Sequence, residues 1–164
     1  MARFQMELPN AIVKDIQKVY NSTDQIFGAM TQAGAEVAAR NIRSKVPIPE
    51  IASGVRISRV YKTPTDDGIN TKVYVSGYAP FKNGRTTFVR RGRVGGKQYT
   101  STKGVQLDFQ AQIYEYGTSP RFTEVGGYRG FIGKKPFFRK GFKKDQINAV
   151  MEKVQREKSG GLLI

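Results

Sequence analysis

The chain has 164 residues, a length that fits one domain with a sizeable core, and 38% of its residues are hydrophobic. It contains no cysteine and no histidine, which excludes disulfides, a thiol nucleophile, thiolate or imidazole metal ligands and the commonest general base. No stretch is long and apolar enough to span a bilayer, and residues 1–10 lack the apolar segment of a signal peptide, so we expect a protein made in a cytoplasm.

The positive charge is concentrated in the middle of the chain. The formal net charge is +15, and residues 51–144 carry 19 basic and 5 acidic side chains, whereas residues 1–50 carry 6 and 5. A field of this kind attracts polyanions, such as nucleic acid, an acidic protein surface or a membrane surface. A solvated basic face that only aids solubility would give the same pattern.

The N-terminal part of the chain predicts helix. Apolar residues recur at spacings of three and four from Ile12 to Ile42, and the alanines among them favour helix. Val46-Pro47-Ile48-Pro49 ends the pattern, because proline cannot continue a helix. We expect one long helix from about residue 10 to 45, or two consecutive helices in this range that are separated at the polar residues 21–24.

The apolar period changes after Gly54. One strand is predicted from about Gly54 to Thr63, and the segment from Pro64 to Gly68 has the composition of a turn. Val73 and Val75 alternate with polar residues in a second strand, so the two strands form a predicted hairpin.

The clearest alternation of apolar and polar residues runs from Val105 to Ile113 and continues into Tyr114-Glu115-Tyr116-Gly117-Thr118. It predicts a strand. In such a strand the two tyrosines would share one face, and Glu115 would meet a basic side chain on the other. Gly117 is then expected to turn the chain with a positive φ.

Residues 81–104 combine basic side chains with three aromatic residues and contain no acidic residue. Short strands around Thr86–Arg90 and Gln98–Thr100 predict an exposed hairpin, or a loop that orders on assembly. We assign a basic loop or arm to about residues 79–104. Basic and aromatic residues together can contact phosphates and stack on bases without sequence preference. The candidate contacts with DNA or with an acidic partner are Lys82, Arg85, Arg90, Arg91, Arg93, Lys97 and Lys103.

A last helix is predicted after Pro136-Phe137-Phe138, ending at Ser159-Gly160-Gly161 and followed by the apolar residues 162–164. Its predicted apolar stripe is formed by Phe142, Ile147, Val150, Met151 and Val154. Residues 1–164 are therefore predicted to form one α+β domain, in which an antiparallel sheet packs on a long N-terminal helix and a C-terminal helix, with extended basic loops.

The sequence offers no set of residues for catalysis. Asp66-Asp67 is the only adjacent pair of acidic residues, and in a turn-like segment such a pair is more often solvated than metal-binding. The glycine-rich residues 92–96 lack the Lys-Ser/Thr ending of a phosphate-binding loop. We predict no enzymatic activity, no catalytic residue, no cofactor and no metal site.

Four short motifs follow one another over roughly residues 30–155. They are Ala39-Arg40-Asn41-Ile42-Arg43-Ser44-Lys45-Val46-Pro47, Gly54-Val55-Arg56-Ile57-Ser58, Tyr114-Glu115-Tyr116-Gly117-Thr118 and Lys135-Pro136-Phe137-Phe138-Arg139-Lys140-Gly141-Phe142. In this order they resemble the head–tail joining, or tail-completion, proteins of long-tailed bacteriophages. The residues that carry the family motifs are Gly54, Arg56, Tyr114, Glu115, Tyr116, Gly117, Thr118, Pro136 and Phe137.

The resemblance implies a structural protein of the virion neck or upper tail, made in the host cytoplasm. Such a protein completes the tail or joins it to the head by forming a homo-oligomeric ring around the DNA channel. It contacts other neck and tail proteins, such as a connector or stopper, a tail terminator or the tail tube, with nonspecific contact to genomic DNA allowed and no membrane involved. The residues by themselves leave an alternative, a small basic protein that binds nucleic acid without sequence preference.

Overall fold

A computed structural model describes residues 10–65, 68–82, 84–91 and 98–159, and these contain five helices and eight short strands. In chain order they are α1 (Asn10–Lys45), α2 (Pro49–Gly54), β1 (Val55–Ile57), β2 (Tyr61–Lys62), β3 (Ile69–Asn70), β4 (Val73–Val75), β5 (Tyr78–Ala79), β6 (Phe88–Arg91), β7 (Gln98–Ser101), β8 (Val105–Gln106), α3 (Leu107–Tyr116), α4 (Phe137–Gly141) and α5 (Lys144–Ser159).

Helix α1 is one continuous helix of 36 residues, so the polar residues 21–24 do not interrupt it. It ends where the sequence predicts, and Arg43 and Lys45 lie in the last turn, where cations interact favourably with the helix dipole. The prolines that end α1 also begin the short helix α2, because Pro49 occupies a first-turn position that needs no backbone donor. Helix α2 was not predicted from the sequence.

The core lies between the C-terminal half of α1, helices α2, α3 and α4, and the strands β1 and β4. It is formed by small and branched apolar side chains with one fully buried aromatic ring. Its buried members are Ala39, Ile42, Ile51, Val55, Val75, Ala79, Leu107, Ala111 and Phe137. Helix α5 covers a further side of α1 and runs antiparallel to it, since Gln146 lies beside Asn41 while Met151 lies beside Gly34.

The described strands form four antiparallel pairs, β1 with β4, β2 with β3, β5 with β8 and β6 with β7. In the first pair Val55 lies opposite Val75 and Ile57 opposite Val73, which is the hairpin that the sequence predicts. The predicted strand from Gly54 to Thr63 is divided into β1 and β2. The α+β class, with its long N-terminal helix, antiparallel strands and C-terminal helix, is confirmed.

The predicted strand from Val105 to Ile113 is wrong. Only Val105–Gln106 form a strand, and the chain continues as helix α3 (Leu107–Tyr116). Leu107 and Ala111 are buried, and Tyr114 is half-buried against the same core. Their spacing of four and three residues is that of one helix face, and leucine, alanine, glutamine and glutamate all favour helix. The alternating pattern is therefore compatible with both periods, and packing selects the helix.

The last helix is confirmed, but one residue of its predicted apolar stripe lies outside the helix. Phe142 lies before α5 and is 61% exposed, whereas Ile147 is buried and Met151 half-buried. The apolar residues 162–164 and the pair Asp66-Asp67 lie outside the described residues. Among the described helices, none combines the length and the apolar character needed to cross a membrane.

Candidate functional site

Two of the short motifs named above lie side by side in what we call the junction, residues 113–118 together with residues 132–139. The backbone N–H of Lys135 donates to the carbonyl oxygen of Tyr114 at 2.7 Å. Thr118 and Ile132 form two hydrogen bonds: Thr118 N–H to the Ile132 carbonyl at 3.0 Å, and Ile132 N–H to the Thr118 hydroxyl oxygen at 2.9 Å. The end of α3 is therefore fixed to the chain that enters α4.

Glu115 connects these two helices. Its Oε2 accepts the backbone N–H of Phe138 at 2.9 Å, and its Oε1 accepts that of Arg139 at 3.3 Å. These N–H groups belong to the first turn of α4, which has no side-chain cap of its own. The carboxylate thus serves as a cap that comes from a position 23 residues away in sequence. Helix α3 directs the carboxylate to the end of α4, and no ion pair of Glu115 with a basic side chain is seen among the residues that the structure describes.

Gly117 makes the turn that brings the chain into the junction. Its φ is +76°, so the prediction of a positive φ is confirmed. A Cβ at this position would lie 2.9 Å from the Ile132 carbonyl oxygen and 3.1 Å from the backbone nitrogen of Lys134. Both the conformation and the close approach of backbone therefore require glycine.

The two tyrosines of the motif do not share a face, which corrects the prediction made from strand alternation. In helix α3 they are two positions apart, and Tyr114 packs against the core while Tyr116 is 71% exposed.

Phe137 is buried in the core, and its ring centroid lies 5.2 Å from that of Phe138. Pro136 immediately precedes α4 at its N-cap. These residues anchor α4 as the Pro-Phe motif implies.

Gly54 and Arg56 lie away from the hydrogen bonds of the junction. Gly54 is the last residue of α2, and a Cβ there would meet Leu107 of α3 at 2.7 Å and the Ser76 carbonyl oxygen at 2.9 Å. The glycine therefore lets α2 approach α3, and it immediately precedes β1, as the predicted strand entry requires. Arg56 lies exposed on β1.

The basic segment forms a second surface, the basic hairpin, made of β6 and β7. Phe88 lies opposite Ser101 and Arg91 opposite Gln98, so the predicted strand pair is confirmed. Strands β5 and β8 pair beneath it and connect it to α3. Of the predicted contact residues, Arg85 and Lys103 are exposed. Arg93 and Lys97 lie outside the described residues, as do the side chains of Arg90 and Arg91.

Lys82 has a partner at the base of this surface. Its Nζ lies 3.5 Å from Oε1 of Glu50, which is in the first turn of α2. A hydrogen bond from the backbone of Glu50 and then the charge of Lys82 lower the pKa of this carboxyl from its ordinary value. Lys82 therefore has an acidic neighbour, and among the predicted contact residues whose side chains the structure describes it is Lys82 that forms an ion pair.

Two further features went unrecognised in the sequence. In the segment 119–134, Phe122 and Tyr128 pair across an isolated bridge with ring centroids 5.5 Å apart. In the N-terminal half of α1, the side chains of Ile12, Ile16 and Tyr20 are exposed. Their regular spacing is visible in the sequence and predicts a helix, but it does not show whether the apolar face of that helix is buried.

Within the described ranges, no group of three or more acidic side chains could hold a metal ion. Comparison of the chain with protein-family models, with curated proteins and with solved structures found no match. Its function must therefore be inferred from its own residues.

Proposed function

We propose that this chain is a structural virion protein of the bacteriophage neck or upper tail. It completes the tail or joins it to the head by assembling with further copies around the DNA channel. Its partners are other neck and tail proteins, such as a connector or stopper, a tail terminator or the tail tube. No catalytic role is part of the proposal.

One observation carries this proposal: two of the four motifs on which the resemblance rests contact each other in the junction. Tyr114-Glu115-Tyr116-Gly117-Thr118 holds the segment that leads to Phe137 and Phe138 through the Glu115 cap and the Thr118–Ile132 pair. This contact between the two motifs supports the view that they act as one structural unit.

The junction is suited to holding surfaces rather than to chemistry. The carboxylate of Glu115 is engaged by two backbone N–H groups. From this fixed base extend the segment 119–134, with exposed Phe122 and Phe131, and the start of α5. A domain of this kind presents loops and helix faces to neighbouring proteins, as the joining role requires.

The test is a nonsense codon early in the gene, within the phage that encodes the chain. In a non-suppressing host we expect DNA-filled heads and separate tails by negative-stain electron microscopy. Joined virions should return in a suppressor host, which is the matched control. Normal virions at full titre without the chain, or its absence from purified virions, would contradict the proposal.

A second candidate function, nucleic-acid binding without sequence preference, is favoured by a hollow of about 450 Å³ beside β7. Tyr78, Tyr99 and Lys103 all line it, and both tyrosines are exposed. Aromatic faces beside an ammonium group suit a stacked base and its phosphate.

Filter binding of the isolated chain to random-sequence single-stranded DNA, at low and high salt, separates the two functions. The binding function predicts tight, salt-dependent binding that Tyr99→Ala weakens, with Tyr128→Ala as a control in the segment 119–134. The joining function predicts weak binding that neither substitution changes.

A further inference from the structure

The first turns of α1 are the most exposed part of this helix. Every side chain that the structure describes from Asn10 to Tyr20 is exposed, whereas buried positions recur from Gly28 onward. Farther along α1, an ion pair joins Asp24 to Lys62 of β2, and Gly28 packs on Val60 in the connection between β1 and β2. We call residues 10–27 the α1 arm; at 1.5 Å per residue it is about 25 Å long.

The α1 arm continues the helix face that α5 covers farther along. Gly34 packs on Ile147 and Met151 of α5. Ile16 lies about five turns earlier and points in the same direction as Gly34, because a helix has 3.6 residues per turn. Ile12, Tyr20 and Phe27 lie within about 40° of that direction. The exposed fractions of these four side chains range from 45% to 79%.

An apolar stripe of this extent needs a partner. It presents on the order of 500 Å² of apolar surface, which is the size of the largest patch on a typical monomer and is often functional. Together with an equal area of a receiving surface it reaches about 1,000 Å², the lower bound for a specific interface. Ile12 and Val13 lie at opposite edges of this stripe, about 100° apart around the helix axis, so the apolar face is wider than the seam of a two-helix coiled coil. A broad concave surface therefore fits it better than the same helix of a second copy.

The chain itself carries such a surface. A hollow of about 400 Å³ opens between β4, α3 and α4, and no residue of the α1 arm lines it. Its walls are mainly apolar, and exposed tyrosines stand at two of its sides. The lining residues are Tyr74, Val75, Asp108, Ala111, Gln112, Glu115, Tyr116 and Phe138.

We propose that the α1 arm of one copy docks in the hollow between β4, α3 and α4 of the next copy, with Tyr20 as its anchor. Arm and hollow are different patches of one chain, so the contact is heterologous and repeats from copy to copy. A heterologous contact closes into a ring where the rotation between copies permits. This inference rests on the proposed function and names the two surfaces by which copies form the ring.

Because the chain contains no cysteine, engineered cysteines can test the contact directly. Tyr20→Cys and Gln112→Cys are purified separately, mixed and oxidised. We expect a disulfide-linked dimer in the mixture and in neither protein alone, and mass spectrometry should identify a linked pair of peptides that contain the two substituted positions. Lys18→Cys, on the opposite side of the α1 arm, is the matched control and should give no dimer with Gln112→Cys.

Three other outcomes would overturn the proposal. Efficient dimers of Tyr20→Cys alone would indicate arm-to-arm pairing. An intramolecular disulfide in the double variant Tyr20→Cys/Leu163→Cys would indicate that the chain's own C-terminal residues cover the arm. No cross-link in the mixture at concentrations where sizing shows oligomers would mean that other surfaces assemble.

A second readout uses a charge on the stripe. Ile16→Lys should reduce oligomers in light scattering at least tenfold at fixed concentration, with an unchanged helical circular-dichroism signal. Lys18→Glu, off the stripe, should leave them unchanged. If these variants or the cross-links contradict the docking contact, the nonsense-codon experiment can still support the joining role. Normal virions without the chain would remove that role whatever the cross-links show.

Discussion

At the scale of single residues, Glu115 is the most informative side chain. It was expected to form an ion pair across a strand, yet it caps α4 from α3. Nothing in the local sequence indicates this, because the capped N–H groups lie 23 and 24 residues farther along the chain. The need for a cap at α4 could be inferred from the sequence, but the identity of the cap depends on the packing of two helices.

Glu115→Gln keeps the shape of the side chain and removes its charge. We expect it to lower the free energy of unfolding by about 1 kcal/mol, because hydrogen bonds to a charged acceptor are the stronger ones. Urea unfolding at neutral pH measures the change. Glu124→Gln, in the exposed turn of the segment 119–134, is the control and should stay within about 0.5 kcal/mol of wild type. Equal stabilities for both variants would show that the cap contributes nothing.

Gly117→Val should destabilise the chain for two reasons, and a second glycine separates them. Both Gly117 and Gly126 have positive φ, so valine at either position should cost about 1–3 kcal/mol in backbone strain. A Cβ at Gly126 has no atom within 4 Å, whereas at Gly117 it meets the Ile132 carbonyl oxygen at 2.9 Å. We therefore expect a larger loss for Gly117→Val in urea unfolding. Wild-type stability of this variant would contradict the turn.

Glu50 makes a prediction about pH. The folded-state pKa of Glu50 is lowered by its own backbone hydrogen bond and by Lys82. The charged carboxylate therefore stabilises the fold above the unfolded-state pKa. This stabilisation is lost as the pH falls through the folded-state pKa. Glu50→Gln should therefore unfold at lower urea than wild type at about pH 7, and the gap should close as the pH falls below the folded-state pKa of Glu50. A gap of the same size above and below that pKa would mean that the charge of Glu50 is not involved.

At the scale of elements, prediction succeeds where one signal acts alone. Helix α1 has a long 3.6-residue period and a proline stop, and the structure has it from Asn10 to Lys45. Helix α3 was predicted as a strand because Val105, Leu107 and Phe109 alternate with polar residues. The sequence of α3 also places Leu107 and Ala111 on one helix face, so it fits a helical period as well. Which period wins depends on the core formed with α2, β4 and α4, and local sequence does not contain that information.

The basic hairpin is the element whose order should respond to assembly. Strands β6 and β7 form an isolated two-stranded pair, and such pairs have marginal stability in water. In hydrogen exchange we expect their amides to exchange faster than those around Ala39 and Ile42 in the free chain, and to gain protection in the assembled ring. Equal protection before and after assembly would count against a role of the hairpin in contacts between subunits.

At the scale of the whole molecule, contact between copies and contact with DNA should respond to salt in opposite ways. Copies that each carry a formal charge of +15 repel one another, and added salt screens this repulsion. Association through the α1 arm should therefore strengthen as salt rises, whereas contact with DNA or an acidic partner should weaken. Sedimentation velocity at several salt concentrations measures the first effect. Oligomers that dissociate with added salt would point to ionic contacts between copies instead.

The paired hydrogen bonds between Thr118 and Ile132 have a practical consequence for engineering. These hydrogen bonds join the residues at the two ends of the loop 119–131, so the ends stay together whatever the length of the loop. The entropy of loop closure grows only slowly with added residues, and exposed tips tolerate insertions best. An epitope or a fluorescent peptide inserted between Glu124 and Val125 should thus leave the fold intact and mark the position of each subunit in an assembled particle.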